Sequence, residues 1–268
     1  MTLERAIKEK HLEILALNRS IEYIETFFPY TSGKIGNIYV HGENIMKNGH
    51  HYREAIYDLK ILIDKKIYSR EYDVISGGES RDWIFSLPIS FLLGKPHCSM
   101  YKDGRVIGSD LINKAVIHVS DLNNEGFSLR EKWMPLVEKI GGKIKKVFFY
   151  IDRCENGFQI LKNSGLESYA LVNLDKEAYE YALKIGLINK EEYGSLLERL
   201  EDSEAWAIRM LKSEKGIEKM AELLNKDNKG RESALKVINE GYPDLKEEIL
   251  ERLKKYPDIE MLINPVNV

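Results

Sequence analysis

The sequence predicts an α/β fold, in which helices cover both faces of a parallel sheet, followed by an all-helical C-terminal extension. Apolar strands alternate with helical segments up to about residue 175, and this alternation is typical of a parallel sheet buried on both faces. Beyond that point only helical periodicity is found. We therefore expect an α/β domain over 1–175, with an N-terminal helical or hood segment over about 1–45, and a helical extension over 176–268.

The first elements follow from periodicity and from turn residues. Apolar residues recur at helical spacing over 3–28, with an interruption at 18–20, and Pro29 ends the run. A turn is predicted over 31–37, followed by a short strand over 38–40 and a helix over 52–65. The apolar pair at 74–75 precedes a predicted Gly77-Gly78 turn, a helix over 83–93 and a strand over 97–101.

The middle of the chain is predicted to form a βαβ unit. Its parts are the strand 115–119, the helix 129–140, a stop at Gly141-Gly142 and the strand 146–151. A helix over 155–163 and a strand over 169–172 complete the α/β part. In the extension, Asn189 and Glu192 have the spacing of a capping box, and an amphipathic stripe runs through residues 245, 249, 250 and 253.

Composition narrows the classes of function. The net charge of −3 gives no general attraction to nucleic acid. No apolar run approaches the roughly 20 residues that cross a bilayer, and the charged amphipathic start does not resemble a signal peptide. We therefore expect a cytoplasmic protein that binds neither membrane nor nucleic acid. Cys98 and Cys154 lie far apart, so neither a disulfide framework nor a protein metal site is predicted.

The most informative stretch is 114–128, where a buried strand enters a polar turn and then a helix. The start of a helix presents unpaired backbone N–H groups and the positive end of a dipole, and both stabilise a bound phosphate. An acidic residue at the strand end, here Asp121, can hold sugar hydroxyls beside that phosphate. The alternative is an ordinary α/β junction, in which Asp121 only caps the turn.

This stretch resembles the phosphoribosyl diphosphate (PRPP) signature of type I phosphoribosyltransferases. In that family a strand ends in two acids, and a Thr-rich loop with a glycine follows. Asp121 matches the second acid, Gly126 the loop glycine and Ser128 the closing hydroxyl, whereas Ser120, Asn124 and Glu125 depart from the pattern. A Glu125 carboxylate inside a phosphate cradle would repel the ligand. We expect binding to survive if Glu125 points outward while the Gly126 and Phe127 amides point inward.

Four further segments resemble the orotate branch of that family. They are 28–34 with Lys34, followed by Tyr39; 77–83, with Arg81 in the place of a lysine; 101–108, with Lys102 and Arg105; and 151–157, with Arg153. The resemblance implies transfer of the phosphoribosyl group from PRPP to orotate or a related nucleobase, with Mg²⁺ on the diphosphate, in a homodimer.

The same resemblance assigns roles. Lys102, Arg105 and Asp121 are the implied catalytic residues, and Arg81 would meet the leaving group while Arg153 would orient the base. The remaining implied substrate contacts are Lys34, Ser120, Asn124, Glu125, Gly126, Phe127 and Ser128.

Two interpretations stay open at this point. In the first the protein is an enzyme. In the second it keeps the fold, has lost turnover and senses PRPP or a nucleoside monophosphate, while its helical extension contacts a partner. The cations Lys34, Lys102 and Arg105 also fit ordinary solvated surface charges, and His118 fits a buried, hydrogen-bonded histidine rather than a base.

Overall fold

The computed structural model describes residues 2–124, 126–155 and 157–256, and the chain divides into two compact units. The first unit comprises Met1–Ile21 and Val40–Leu187, and the second comprises Glu22–Tyr39 and Ile188–Val268. The second unit therefore combines a segment from near the N-terminus with the C-terminal helices.

The strands of the described residues are β1 (Ile21–Pro29), β2 (Ile35–Val40), β3 (Val74–Gly78), β4 (His97–Met100), β5 (Val106–Gly108), β6 (Ala115–Asn123), β7 (Lys143–Asp152) and β8 (Glu167–Asn173). The α-helices are α1 (Leu3–Leu17), α2 (Gly49–Lys66), α3 (Trp83–Leu93), α4 (Met134–Lys139), α5 (Gly157–Asn163), α6 (Lys176–Lys184), α7 (Lys190–Glu201), α8 (Ser203–Lys212), α9 (Glu214–Lys226), α10 (Asn228–Lys236) and α11 (Lys246–Leu253). Within these ranges no helix has both the length and the apolar character needed to cross a bilayer.

The first unit is built on a six-stranded sheet with the order β5-β4-β3-β6-β7-β8. The pairs β4–β3, β3–β6, β6–β7 and β7–β8 are parallel, and β5 is antiparallel to β4. The predicted parallel sheet is thus confirmed. The short antiparallel β5 adds an edge strand that the apolar pattern did not indicate.

Helices cover both faces of this sheet, as predicted. On one face the Tyr150 ring of β7 stacks on Phe85 of α3, with ring centroids 4.9 Å apart, and meets His11 of α1 edge-on. On the other face β7 packs in one buried cluster with Trp133, which precedes α4, and with Leu161 of α5. Because both faces are covered, the central strands are mostly apolar.

The segment 21–28 forms strand β1, so the helical spacing predicted for it was wrong. Helix α1 ends at Leu17, and Arg19 then adopts a left-handed backbone with φ 50°. The following residues are rich in β-branched and aromatic side chains, which favour an extended strand over a helix. The interruption at 18–20 is the boundary between the two elements.

Gly77 and Gly78 end strand β3 rather than forming a turn, which corrects a second prediction. A Cβ atom on Gly77 would lie 2.2 Å from the Ser86 hydroxyl, and one on Gly78 would lie 2.2 Å from the Trp133 ring. Both glycines are therefore explained by close packing against helices on opposite faces of the sheet. The helix predicted over 129–140 likewise begins as a π-helical turn, Leu129–Trp133, before α4.

The second unit has its own core. Phe27 of β1 and Ile35 of β2 are buried in one cluster with apolar residues of α8 to α11, among them Trp206 and Leu224. The capping box predicted at Asn189 and Glu192 begins α7. The C-terminal helices thus pack on the β1–β2 segment to form a compact unit.

We expect the Gly241→Ala substitution to destabilise the second unit by about 2 kcal/mol or more. A Cβ atom on Gly241 would lie 2.0 Å from the Gly33 carbonyl oxygen, a backbone atom that cannot move alone. Gly194→Ala is the matched control, because Gly194 lies in α7 with open space around it, and alanine there favours the helix by about 1 kcal/mol. Equal free energies of unfolding for the two variants, measured by denaturant unfolding, would contradict this account.

Candidate active site

The candidate site lies at the carboxyl ends of β3 and β6, the two adjacent central strands. From β3 the chain continues through α3 to β4 on one side, whereas from β6 it continues to β7 on the other. In open α/β sheets the crevice at such a reversal of strand order is the usual place for a ligand. Arg81 and Asp82 follow β3, and Ser120 and Asp121 lie near the end of β6.

Asp121 and Arg81 form an ion pair in this site. The Nε atom of Arg81 lies 3.3 Å from Oδ2 of Asp121, and the Asp121 side chain is 8% exposed while that of Arg81 is 47% exposed. Within the described residues, no group donates a hydrogen bond to this Oδ2 atom. Glu43, in the turn after β2, lies 3.8 Å from Nη1 of Arg81. A buried carboxylate therefore sits beside a partly exposed guanidinium.

Burial and two nearby carboxylates, those of Asp82 and Glu43, raise the pKa of Asp121 to about 7. Burial is the largest cause, and the nearby charge of Asp82 adds to it, while Arg81 acts in the opposite direction. Near neutral pH the Asp121 carboxyl is consequently divided between its protonated and ionised forms. A shift of this size is typical of functional sites.

Asp82 lies below Asp121 and joins the two strands. Its Oδ1 accepts hydrogen bonds from the Ser120 hydroxyl at 2.6 Å and from the Asp121 amide at 3.2 Å. Its Oδ2 accepts a hydrogen bond from the Gly78 amide at 2.9 Å. Burial acts to raise the pKa of Asp82, but His118, Ser120 and Gly78 together hold it below the usual value. Asp82 is therefore the ionised member of the pair.

His118 completes this network from within the sheet. It is fully buried, with Nε2 3.4 Å from Oδ2 of Asp82 and Nδ1 3.0 Å from the Ser76 hydroxyl. The prediction of a buried, hydrogen-bonded histidine is confirmed. Its position next to Asp82 gives that carboxylate a polar partner inside the core.

The loop after β6 is held by a second buried carboxylate, Asp152. The Asn123 side-chain amide donates a hydrogen bond to Oδ2 of Asp152 at 2.7 Å, and Oδ1 of Asn123 accepts one from the Gly126 amide at 3.1 Å. Gly126 has φ +66°, a backbone conformation that favours glycine. The loop is thus fixed to the end of β7, and the Gly126 amide is already engaged within the protein.

The other predicted loop residues differ in exposure. Phe127 and Ser128 are exposed, and the Ser128 side chain makes no capping hydrogen bond to the following turn. Asn124 is half-buried, and its carbonyl oxygen would lie 2.2 Å from a Cβ atom on Gly157. Glu125 lies outside the described residues, so the predicted direction of its carboxylate stays a prediction.

The structure places Lys102 and Arg105 on the tight hairpin between β4 and β5. The Lys102 amide donates a hydrogen bond to the Glu79 carboxylate at 2.8 Å, in the loop after β3. Nε of Arg105 lies 2.7 Å from the Asp103 carboxylate, and its guanidinium lies over the Tyr101 ring. Among the described contacts neither side chain reaches Asp121 or Arg81. Their catalytic role therefore stays a prediction.

Lys34 and Arg153 occupy different surroundings. Lys34 belongs to the second unit, where its ammonium lies 2.9 Å from Glu204 and above the Tyr242 ring. Arg153 follows β7 and is buried, with its amide donating to the Asn123 carbonyl at 3.1 Å. Because it follows β7, Arg153 lies at the same end of the sheet as Asp121.

Sequence reasoning missed Asp82, Glu43 and the Asn123–Asp152 pair. Asp82 follows directly on Arg81, so the motif that located Arg81 also contained the signal for Asp82. Asn123 stands where the family signature has an apolar residue, and a polar residue at the end of a buried strand was a further signal. Glu43 lies in a turn with no motif, and nothing in its neighbourhood pointed to it.

Comparison with known proteins gives sequence relatives that are named as phosphoribosyltransferases. No family model matches the chain. The chain is 29% identical over 142 residues to the adenine phosphoribosyltransferase of Agathobacter rectalis, a match that covers 44% of this chain and 80% of that enzyme. It is 26% identical over 152 residues to the orotate phosphoribosyltransferase of Staphylothermus marinus, covering 54% and 71% respectively.

Solved structures share the fold. The orotate phosphoribosyltransferase of Francisella tularensis superposes with a TM-score of 0.57 at 20% identity, over 72% of this chain and 98% of that one. The Mycobacterium tuberculosis enzyme of the same name, in complex with PRPP, gives a TM-score of 0.51 at 17% identity, over 64% and 98%. In sequence the chain is similar to adenine and orotate phosphoribosyltransferases, and its fold is similar to that of orotate phosphoribosyltransferases.

Proposed function

We propose that this protein transfers the phosphoribosyl group of PRPP to a nucleobase and releases diphosphate. The observation that carries the proposal is the pairing of Asp121 with Arg81 in the crevice between β3 and β6. An acceptor for ribose hydroxyls lies there beside a cation for the diphosphate. The sequence relatives named as phosphoribosyltransferases support this assignment. The Mycobacterium tuberculosis enzyme of similar fold, whose structure is in complex with PRPP, supports it too.

The chemistry follows from charge placement. As the bond between the ribose C1 atom and the diphosphate oxygen breaks, negative charge grows on the leaving group and positive charge grows on the ribose. The Arg81 guanidinium stabilises the first charge, and an ionised Asp121 holds the ribose hydroxyls and faces the second. Because the pKa of Asp121 is raised to about 7, we expect the active form to dominate above neutral pH.

The 5′-phosphate is assigned to the loop after β6. The Gly126 amide is engaged by Asn123, so the exposed Phe127 and Ser128 supply the groups we assign to the phosphate, namely their backbone amides and the Ser128 hydroxyl. The hydrogen bonds from Asn123 and Asp152 hold this loop in place before the ligand arrives. Such preorganisation lowers the entropic cost of binding.

For the acceptor we propose orotate or a related base. The Arg153 guanidinium offers several donors in a fixed fork, which suits a ring carbonyl or a carboxylate. It follows β7, at the same end of the sheet as Asp121. We keep Lys102 and Arg105 as the cations that complete the leaving-group site, since their hairpin contacts the loop before Arg81 through Glu79.

We assign Mg²⁺ to the substrate rather than to a protein cage. The described residues contain no group of three or more His, Cys, Asp or Glu side chains able to hold a metal ion. Mg²⁺ usually keeps several waters and binds substrate phosphates with few protein ligands. When bound to PRPP it would neutralise part of the diphosphate charge, and the steps assigned above to Arg81 and Asp121 do not pass through it.

We further propose a homodimer, and α3 supplies the surface that supports it. Leu87 and Phe91, one turn apart on this helix, are 46% and 85% exposed, and Ile84 and Pro88 extend the same apolar stripe. We expect Phe91→Glu to convert a dimer into a monomer in light scattering. Tyr68→Glu, at an exposed aromatic residue outside α3, should leave the mass unchanged. A parent protein that is already monomeric would contradict the dimer.

Turnover is tested by incubating the purified protein with PRPP, Mg²⁺ and single bases: orotate, uracil, adenine, hypoxanthine and guanine. We expect diphosphate release that depends on one base, with the matching nucleoside monophosphate as the second product. If PRPP binds but none of the bases leads to diphosphate release, the proposal of an enzyme is contradicted, and a regulatory PRPP-binding protein is favoured.

A further inference from the structure

Asp82 is a buried carboxylate directly beneath the proposed ribose site. We propose that Asp82 is a positioning residue, which supplies from the loop after β3 the negative charge that Ser120 lacks and which holds Asp121 in place for the ribose hydroxyls of PRPP. This inference rests on the proposed function and deepens it. Four observations support it: the burial of Asp82 with both oxygens engaged by the protein, its contact with Ser120, its bond to the Asp121 backbone and the charges around Asp121.

Both Asp82 oxygens are engaged by the protein. One accepts from Ser120 and from the Asp121 amide, and the other accepts from the Gly78 amide and faces His118. The carboxylate is also buried. Because the carboxylate is buried and both of its oxygens already accept hydrogen bonds from the protein, Asp82 acts through the residues it holds.

The contact with Ser120 places the Asp82 negative charge next to position 120. The family signature has an acid at position 120, and here Oδ1 of Asp82 lies 2.6 Å from the Ser120 hydroxyl. The negative charge thus stays within one hydrogen bond of its usual place but is carried by the loop after β3. An acid at both positions would bring two carboxylates together in a buried site, which is strongly unfavourable. Serine at 120 and aspartate at 82 therefore form a matched pair.

The same carboxylate connects the two sides of the crevice. Gly78 belongs to the end of β3, and the Asp121 amide belongs to the end of β6. A hydrogen bond to an ionised acceptor is about twice as strong as a neutral one. Asp82 therefore fixes the Asp121 backbone relative to the loop that carries Arg81.

The charge of Asp82 also controls the ionisation of Asp121. Among the described residues, the charged groups that face Asp121 are Asp82, Arg81 and Glu43, with His118 behind Asp82. Asp82 and Glu43 favour a protonated Asp121, whereas Arg81 favours the ionised form. Removing the charge at position 82 should thus let Asp121 ionise at lower pH.

The test compares three variants in the full-length chain. Asp82→Asn removes the charge and places an amide N–H against a donor. The double variant Asp82→Ser with Ser120→Asp moves the carboxylate to position 120 and keeps a serine–aspartate pair. Asp58→Asn is the matched control, because Asp58 also pairs with a buried histidine, His11, at 2.9 Å but lies within α2 and meets α1.

The readouts are PRPP affinity by calorimetry and the Asp121 titration by carboxyl ¹³C NMR without ligand. For Asp82→Asn we expect at least about tenfold weaker PRPP binding and an Asp121 titration midpoint at least about one pH unit lower. The double variant should recover affinity to within about threefold of the parent, and Asp58→Asn should behave like the parent in both measurements.

Each failure has a separate meaning. A folded Asp82→Asn protein with the parent's affinity and titration midpoint overturns the inference. If Asp82→Asn does not fold, the double variant decides, and a double variant that is unfolded or binds PRPP no better than Asp82→Asn also overturns it. A parent protein that does not bind PRPP refutes the proposed function, while the NMR titration still tests whether Asp82 governs Asp121.

Discussion

The Asp121→Asn variant should lose at least about 100-fold in the rate of phosphoribosyl transfer and still melt at a higher temperature than the parent at pH 8. Asparagine keeps the shape of the side chain but cannot carry the negative charge that holds the ribose hydroxyls. The gain in stability follows from the raised pKa of Asp121, about 7, against about 3.9 in an unfolded chain.

The coupling between proton binding and folding determines whether the substitution raises or lowers the melting temperature. The protonated form of Asp121 contributes stability that is fully present below about pH 4 and is lost as the pH rises through about 7. The asparagine variant does not ionise, so it keeps that stability at pH 8, and we expect a melting temperature higher by about 3 °C or more. Asp73→Asn, at the opposite end of β6, should not show this pair of effects.

The pH dependence of the parent tests the same residue. Because an ionised Asp121 is required, kcat/KM should rise with pH between about 6 and 8, and this rise should be absent from the residual activity of Asp121→Asn. An asparagine variant with the parent's rate, or one that is inactive because it melts at a lower temperature, would contradict the role given to Asp121.

For the Arg81→Gln variant, PRPP should bind about 10- to 100-fold more weakly. The guanidinium is the cation that lies between Asp121 and Glu43, so its removal leaves the diphosphate facing uncompensated carboxylates. Arg81 also lowers the pKa of Asp121. In the glutamine variant the rise of kcat/KM should therefore move to higher pH, opposite to the shift expected for Asp82→Asn.

Arg70→Gln is the matched control for this prediction. Arg70 lies in the turn before β3, at the opposite end of the strand that leads to Arg81. Both substitutions remove one positive charge from the first unit, so a general electrostatic effect on an anionic ligand would appear in both. Equal losses of PRPP affinity in calorimetry would show that Arg81 has no local role.

The parallel sheet could be predicted because burial on both faces leaves strands that are mostly apolar, as over 115–119 and 146–151. Strand β1 could not be predicted in the same way. It packs in the second unit against helices that are distant in sequence, with Phe27 beside Trp206, and this tertiary packing overrides a local spacing that also fits a helix. Likewise Gly77 and Gly78 were assigned to a turn, because the packing of Ser86 and Trp133 against them is not visible locally.

The site was predictable where a local motif carries the chemistry. Asp121 and Arg81 were located separately, and the structure brings them within 3.3 Å of each other. Asp82 was not predicted, because its role depends on Ser120 and His118, which a parallel pairing of β3 and β6 brings next to it. The acid that is missing at position 120 is therefore replaced through the pairing of strands in the sheet. A comparison of position 120 alone would show only that the acid is missing.

The hydrogen bonds of two buried carboxylates also explain how the loops of the site are held in place although its sequence departs from the family signature. Asp82 connects β3 to β6, and Asp152 connects β7 to the loop after β6 through Asn123. Each carboxylate is buried and hydrogen-bonded, so the loops around the crevice are fixed by satisfied polar groups. Partial disruption of either network should loosen the ligand loops before it unfolds the sheet.

The central claim is that the crevice between β3 and β6 binds PRPP through Asp121 and Arg81. Isothermal titration calorimetry of the parent protein with PRPP and Mg²⁺ at pH 8, set beside the same titration of Asp121→Asn, tests it most directly. We predict saturable binding of one PRPP per chain with a Kd in the micromolar range, about −8 kcal/mol, and a marked loss of affinity in the variant. Absence of binding to a folded parent, or equal affinity in the variant, would contradict the claim.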